Sequence, residues 1–544
     1  IVSYINYFCL MKLIESLGYH RGVYAPLMQQ LLRNDPALKS FHRGLVSTKA
    51  ATKVASNRAT SFDQSKRNTL VEVLHKQYEH LAPDSKTRAQ IDALSASNAV
   101  TITTGHQLNL FTGPLYFWYK ILDVINGAAA MQQADDKHQY VPVFWMASED
   151  HDIEEINHFF LGEQKVRWEA VTAGAVGRMP TTGLDVILDE LTPYWNSTDQ
   201  AKELLVLFAN CYLQEGTLAK ATRRLVHQLF GADGIIVVDG DDAALKSLFV
   251  PMFKAEVREQ FTHKGVTQTN TALKKVVKDF KPQVNPREIN LFYLFNDKRL
   301  RITTDANRFG TTENPTKWTF QSLSEEIEKH PERFSPNALM RPLYQECVLP
   351  NIAYIGGGGE LAYWLQLKTT FEKFDIPYPL LQHRTTVLLM SEKQVKKCNK
   401  LNLPIADLFL PTATFINKRV RQISDIDIDF SSQREVLKDN FKAFHDLAAQ
   451  TDKSFLGAVE AQEKKQLKGL DKLENRLLRA QRKKLQDEVV RATDIRNDLF
   501  PNNRLQERTA HFSAFVSETG LTHFTKELKA TLSTAVNGLA VIQI

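Results

Sequence analysis

Three stretches of the chain collect residue types that can bind anions, hold an amine or move a proton. In TITTGHQLNLFTGPLYFWYK a β-branched run ends at Thr104-Gly105-His106-Gln107, and Thr112-Gly113-Pro114 offers the cap and first turn of a following helix. A helix start presents free N–H groups and a positive dipole end to an anion. Gly105 would let backbone approach closely, His106 and Gln107 add donors, and Lys120 falls about two turns into the helix, within reach of an anionic group. Phosphate or carboxylate binding is the functional reading; a glycine turn over a buried histidine is the other, since the stretch is neither a Walker loop nor a Gly-x-Gly-x-x-Gly turn.

The second stretch, VFWMASEDHDIEEINH, places Glu149, Asp150, His151 and Asp152 directly after an apolar strand, with Glu155, Asn157 and His158 close behind. Open α/β sheets collect ligands at that edge, so these groups could act as general base, hold an amine or help bind a divalent cation. A solvated loop with a helix cap is the alternative, and no spacing of a three-ligand metal site is present. The third stretch, NIAYIGGGGELAYW, follows a strand with Gly356, Gly357, Gly358 and Gly359. Four glycines in succession cost conformational entropy and suggest backbone kept bare for a ligand or for close packing. Glu360 could bind a cation, a ribose hydroxyl or an amine. Arg341 and Gln345 upstream, Tyr363 within the stretch and Arg384 downstream could bring charge and hydroxyl to the same edge.

The elements that must position these groups are readable from pattern. AVTITTGH, VPVFWM, GIIVVD, NIAYIG and PYPLLQH are nearly continuous apolar runs with helical sequence nearby, which predicts a parallel sheet covered on both faces. Long inserts separate the second run from the third and the third from the fourth. Each contains a hairpin candidate, turning at Gly162-Glu163 and at Asn296-Asp297, and both inserts read as decoration of the sheet. The expected organisation is a helical segment over 1–97, an α/β core over 98–395 with inserts at about 158–230 and 260–335, a helical arm over 396–510, and a tail over 511–544 returning to the body. In the arm Leu470, Leu473, Leu477 and Ala480 follow the three-four spacing of a coiled coil.

Length and composition bound the rest. With 544 residues, 43% hydrophobic and 24% charged, the chain is a multi-domain globular protein rather than a disordered or repetitive one. A formal charge of +6 is too dilute for a dedicated nucleic-acid binder. The span from Ala461 to Arg491 carries ten Lys or Arg against five Asp or Glu, the composition of a solvated helix face, and no nucleic-acid partner is expected. Cys9, Cys211, Cys347 and Cys398 form no paired spacing, so neither structural zinc nor a disulfide framework is expected, and the compartment reads as reducing and cytoplasmic. The opening IVSYINYFCLMKLI lacks the basic flank and cleavage site of a secretory signal; the residues ahead of Met11 are given no functional weight, and no membrane span is expected.

TGPLY, SEDHD, RPLYQ, GGGGELAYW and LQER, in this order, resemble the bacillithiol biosynthesis cysteine-adding enzymes, described as cysteine ligases; the likeness runs from about Ala99 to Arg508. The resemblance implies a Rossmann-like nucleotidyltransferase core with two connecting-peptide inserts and a C-terminal coiled coil that makes a homodimer. It implies a ligase joining the carboxylate of L-cysteine to the amino group of glucosaminyl malate. By analogy with adenylating enzymes it also implies ATP with Mg2+. Thr104 to Gln107 with Thr112, Gly113 and Tyr116 would then stand where related enzymes contact phosphate. Glu149, Asp150 or His151 would take the amine proton, and Gly356 to Glu360 would receive nucleotide or sugar. A lysine-rich loop after the last core strand is also implied, and Met390-Ser391-Glu392-Lys393 is its nearest match. The chain departs from the family's pattern at His106 and Asn109, where a glutamine and a glycine are common, and at Gly358, where a proline is common. The rivals are another adenylating or nucleotidyl-transferring enzyme of this fold and a nucleotide-binding coiled-coil scaffold.

Overall fold

β-Branched and aromatic residues without alternation make strands that are buried on both faces, and in the computed structural model all eight residues of Ala99–His106 are buried. This strand (β1) joins Gln139–Met146 (β2), Ile236–Asp239 (β3), Asn351–Gly356 (β4) and Leu380–His383 (β5) in one sheet of order 5-4-1-2-3, every neighbouring pair parallel. Read from the other side this is the doubly wound order 3-2-1-4-5, in which the chain reverses direction across the sheet between β1 and β4 and opens a crevice beyond their carboxyl ends. The structure describes residues 11–18, 23–172, 174–305, 308–314, 317–516, 519–534 and 538–544, so most of the apolar opening segment lies outside the described residues.

Val100, Ile102, Ile352 and Ile355 of the sheet pack with Ala51, Val54 and Ala55 of helix Thr48–Ser61 and with Val124 and Ala128 of helix Tyr116–Ala134 (α1). The expected N-terminal helices are present at Pro26–Leu32, Thr48–Ser61, Gln64–Tyr78 and Ser85–Ala93. Arg67, fully buried, ties the third of them to the root of β1 by donating to the carbonyls of Leu94 (3.3 Å), Ser97 (3.1 Å) and Ala99 (2.9 Å). The 1–97 segment is not wholly helical, however. Lys12–Leu17 is a strand paired antiparallel with Leu539–Gln543, in a small sheet completed by Thr386–Met390.

Both hairpins form at the expected turns. His158–Leu161 pairs with Gln164–Arg167 around Gly162, whose φ of +60° suits glycine. Leu291–Phe295 pairs with Lys298–Asp305 around Asn296 and Asp297, both at positive φ (48° and 55°), the requirement of a type I′ turn. The second hairpin extends to four antiparallel strands with Arg308–Thr311 and Phe334–Pro336.

The chain divides into two units, 1–389 with 506–544, and 390–505. The return to the first unit thus begins at Gln506, inside the segment read as arm. The second unit is helical: Ser431–Ala448 and Lys453–Lys484 pack as a hairpin around Phe441, Ala448 and Val459. Its seam is offset from the expected leucines. Val459, Glu474, Leu478 and Gln481 are the buried positions on the long helix, Glu474 held by Arg421 (2.6 Å) and Arg434, while Leu473 is 53% exposed. Glu474, paired with Arg434 of the hairpin and with Arg421 of helix Thr412–Ile423, lies in the buried stripe. The Met390–Lys393 stretch is a helix start, with Ser391 and Gln394 capping each other reciprocally, rather than a loop. Among the described residues no helix is long and apolar enough to cross a membrane.

Candidate active site

A cavity of about 580 Å³ opens where the sheet order reverses, walled by Gly105 and His106 at the end of β1, by Glu149, Asp150 and His151 after β2, and by Gly357 to Glu360 after β4. Gln107, Tyr116, Lys120, Arg341, Tyr363 and Arg384 complete the sequence-derived residues on its lining. The three stretches singled out by residue type therefore meet in one place.

Lys120 does not reach a free anion. Its buried ammonium bonds the Gly105 carbonyl (2.5 Å) and the Glu360 carboxylate (2.6 Å). Glu360 also accepts from Tyr354 Oη (2.6 Å) and from the Gly357 amide (2.9 Å), which fixes the glycine run against α1. Burial alone would raise the Glu360 pKa, but Lys120 and these donors outweigh it and hold it down to about 2, against an ordinary 4.5. A depressed carboxylate contributes stability that is complete above its unfolded pKa and is lost as pH falls through the folded one. The cavity wall should therefore weaken between about pH 4.5 and pH 2. Urea midpoints followed across that window should fall more steeply for the native chain than for Glu360→Gln.

His106 is buried against Tyr116 and Phe117, with ring centroids 5.2 Å and 5.1 Å away, and burial with the nearby Lys120 charge lowers its pKa to about 3. Its Nδ1 lies 3.0 Å from the Gln107 carbonyl, which can only accept, so the neutral ring keeps its proton there and leaves Nε2 as an acceptor. Gln107 Nε2 donates to Asp150 (2.8 Å) and to Glu155 (2.8 Å). Burial pushes Asp150 up, yet hydrogen bonds from His151 and Gln107 and the Arg299 charge bring it well below the usual carboxylate range. Glu149 is pushed up by burial and is held at 2.7 Å by Lys246, which also bonds Asp241 (2.8 Å). Asp241 is gripped in turn by Arg178 (2.6 and 2.7 Å). One acid of the pair thus faces the cavity as a secure anion, while the other is anchored in an ion-pair network.

Several singled-out residues lie elsewhere. Thr104 Oγ1 donates to the Ile355 carbonyl (2.7 Å) within the sheet. Thr112 is buried and accepts from Trp118 Nε1 (3.2 Å), and Gly113 (φ +61°) makes a turn against Asn109. They do not cap a free helix end: the amides of Leu115, Phe117 and Trp118 bond the carbonyls of Ala510, Pro114 and Leu115, so the first-turn N–H groups are largely spent. Gly356 is a packing glycine, since a Cβ there would meet Tyr354 at 2.9 Å. Asn157 is buried under the first hairpin, its amide bonded to the Ile153 carbonyl, and Asp152 is exposed at the start of a short helix away from the lining. Gln345 is buried behind the wall, where it accepts from Arg341 Nη1 (3.0 Å) and donates to Glu346 (2.9 Å), so it orients Arg341 rather than facing the cavity.

The structure adds residues that the sequence reading passed over. Val284, Asn285, Arg287, Phe292, Arg299, Asn337 and Arg508 all line the cavity. All but the last belong to the second insert or its edge, so that insert is a wall of the site and not decoration. Arg299 sits 3.9 Å above the Phe292 ring, donates to Ser335 Oγ (3.2 Å) and the Pro336 carbonyl (3.0 Å), and touches His151 Nδ1 (2.9 Å). Arg508 was inside the quoted LQER motif, whose Gln506 bonds both the amide and the carbonyl of Leu389 (2.9 Å each). Glu507 grips Arg384 through two bonds of 2.5 and 2.9 Å. Among the described residues no three His, Cys, Asp or Glu side chains are grouped to hold a metal.

The comparisons agree with this architecture. The family description "Bacillithiol biosynthesis BshC, N-terminal Rossmann-like domain" matches residues 13–385, and "Bacillithiol biosynthesis BshC, C-terminal coiled-coil domain" matches 387–543. Relatives from Flavobacterium johnsoniae (44% identity over 92% of this chain and 94% of the relative) and Christiangramia forsetii (44%, over 91% and 93%) both bear the name "Putative cysteine ligase BshC". A Bacillus cytotoxicus protein of the same name is 26% identical over 84% of this chain and 87% of its own length. The chain belongs to the bacillithiol biosynthesis BshC family and is an enzyme of the ligase class.

Proposed function

We propose that this cavity joins the carboxylate of L-cysteine to the amino group of glucosaminyl malate after activating the carboxylate with ATP and Mg2+. The observation that carries the reading is the meeting, at the reversal point of a Rossmann-order sheet, of bare glycine backbone, a secure carboxylate and arginines with no acid partner. Gly358 and Gly359 open a helix (Gly358–Leu365) at the cavity, where its dipole favours a nucleotide phosphate. Arg287 and Arg508 make no ion pair among the described residues and are exposed on the same cavity, as a polyanionic substrate set requires. ATP, when bound, supplies the leaving group that the cysteine carboxylate lacks. An accompanying Mg2+ would be held by phosphate oxygens and the Asp150 carboxylate, since Glu149 is tied to Lys246.

Asp150 does the main electrostatic work of amide formation. Amine attack develops positive charge on nitrogen, and an ionised carboxylate already fixed by Gln107 and the His151 amide stabilises it without reorganising. His106 Nε2 offers a neutral acceptor on the same cavity. The dimer is part of the same proposal: the exposed Leu473, Val436 and Phe444 on the helical hairpin give a second copy an apolar face.

The test is a mass-spectrometric endpoint assay with purified protein, L-cysteine, glucosaminyl malate, ATP and magnesium, against single omissions. A new thiol amide that needs every component supports the reading, and folded, dimeric protein that yields no amide overturns it. One variant separates backbone access from folding. A Cβ on Gly359 would meet only the Gln283 side chain, Nε2 at 3.7 Å and Cδ at 3.9 Å, both ordinary contacts. Gly359→Ala should therefore stabilise the fold by about 0.4–1 kcal/mol while weakening ATP binding, a pair of opposite signs readable by thermal melting and calorimetry.

A further inference from the structure

The stretch from Gln283 to Arg287 belongs to no helix or strand, yet it is pinned at both ends by buried amides. At one end Gln366, fully buried, accepts from the amides of Gln283 (3.0 Å) and Val284 (3.1 Å) and donates to the Val284 carbonyl (2.9 Å) and to Asn270 (2.8 Å). At the other, Asn290 accepts from the Arg287 amide (3.1 Å), donates to its carbonyl (2.7 Å) and bonds the buried Glu256 (2.9 Å). Loops are rarely fixed this completely by side chains, and what this one holds in place is Asn285 and Arg287, both exposed and both on the cavity.

Arg287 has no acid partner among the described residues, and its charge acts on the neighbouring Arg299, which is already buried at the same wall. Arg299 has spent its fork, with Nε on Ser335, Nη2 on Pro336 and Nη1 on His151, so it adds positive charge to the wall, while Arg287, among the described residues, keeps its donors free for an anion. The planar fork of Arg287 matches a carboxylate. Both arginines stand on the second insert, whereas the glycine amides suited to phosphate stand on the core after β4.

We propose that the strap 283–287 is the specificity wall for the acceptor, with Arg287, backed by the charge of Arg299, forming an anion subsite that takes a carboxylate of the acceptor sugar, and with Gln366 as the positioning residue that sets the strap. The assignment rests on the ligase reading above. Calorimetry keeps the two claims separable, because binding of the acceptor can be measured whether or not amide forms. Arg287→Ala should weaken binding of glucosaminyl malate at least tenfold and leave ATP binding within twofold. An O-methyl glucosaminide without carboxylates should bind native chain and variant alike. In turnover, Arg287→Ala should raise KM for the acceptor with little change in KM for cysteine, and Arg287→Lys should restore only part of it. Asn285→Ala serves as a second variant on the strap with no charge change, and Gln366→Leu should raise the acceptor KM more than the nucleotide KM, a split that general destabilisation does not produce. If Arg287→Ala weakens ATP and not the acceptor, the subsite takes phosphate and the proposal is wrong; if neither ligand changes, there is no anion subsite at the strap.

Discussion

Replacing Glu507 by alanine should cost about 3–5 kcal/mol, because it strips both charge-assisted bonds from an Arg384 guanidinium that has no water to turn to. Arg384 is 3% exposed and Glu507 1%, and the carboxylate also receives the Val387 amide (3.1 Å), so one substitution orphans a buried cation and a backbone donor together. The same loss releases Arg384 from the cavity wall, where it lies 5.1 Å from the Tyr116 ring. Urea unfolding followed by tryptophan fluorescence should show the midpoint falling sharply for Glu507→Ala. Arg384→Met combined with Glu507→Leu should recover much of the stability without recovering activity, since a buried pair can be replaced by apolar side chains but its role at the cavity cannot. A single variant as stable as the native chain would show that the pair is solvated.

Asp150→Asn should lower amide formation by about 10²-fold or more, beyond the stability given up with a carboxylate that is held well below its usual pKa. Asparagine preserves the shape and can still accept from the His151 amide, but it removes the charge that faces Arg299 (3.9 Å) and stabilises the attacking amine. Asp152→Asn, two residues on and off the cavity lining, should stay within about twofold. Initial rates at saturating substrates for the two variants decide the point; equal losses would place the effect in the loop as a whole.

Much of the core and part of the site were legible before any coordinates. The five apolar runs became the five parallel strands, because burial on both faces leaves no alternation to misread. Gly162 in one turn and Asn296-Asp297 in the other announced both hairpins through their tolerance of positive φ. What escaped was whatever depended on distant partners. Lys120 and Glu360 read as two ligand-binding groups and are each other's partner, a fact fixed by the packing of α1 against the glycine run. Thr112 and Gly113 carried the composition of a helix cap, but their own amides bond Asn109 and Leu110, and the Leu115 amide is taken by Ala510, nearly four hundred residues away. Arg287 and Arg299 carried no motif: one follows a proline, the other follows a hairpin turn, and only the antiparallel sheet of the insert brings them to the cavity. In the arm, the leucine spacing was right for a helix and wrong for the buried stripe, because Glu474 found two arginines, Arg434 on the hairpin and Arg421 on the helix before it.

The central claim is that an activated cysteine carboxylate is made in this cavity, and the measurement closest to it traces oxygen. L-cysteine labelled with ¹⁸O in both carboxylate positions should be turned over with ATP, magnesium and glucosaminyl malate, and the nucleotide products read by mass spectrometry. Activation as an acyl adenylate places one ¹⁸O in the phosphate of AMP while the amide keeps the other. Labelled phosphate beside unlabelled ADP would move the activation to an acyl phosphate in the same cavity. Amide formed with the lost label in water alone, and none in any phosphate product, would contradict the account.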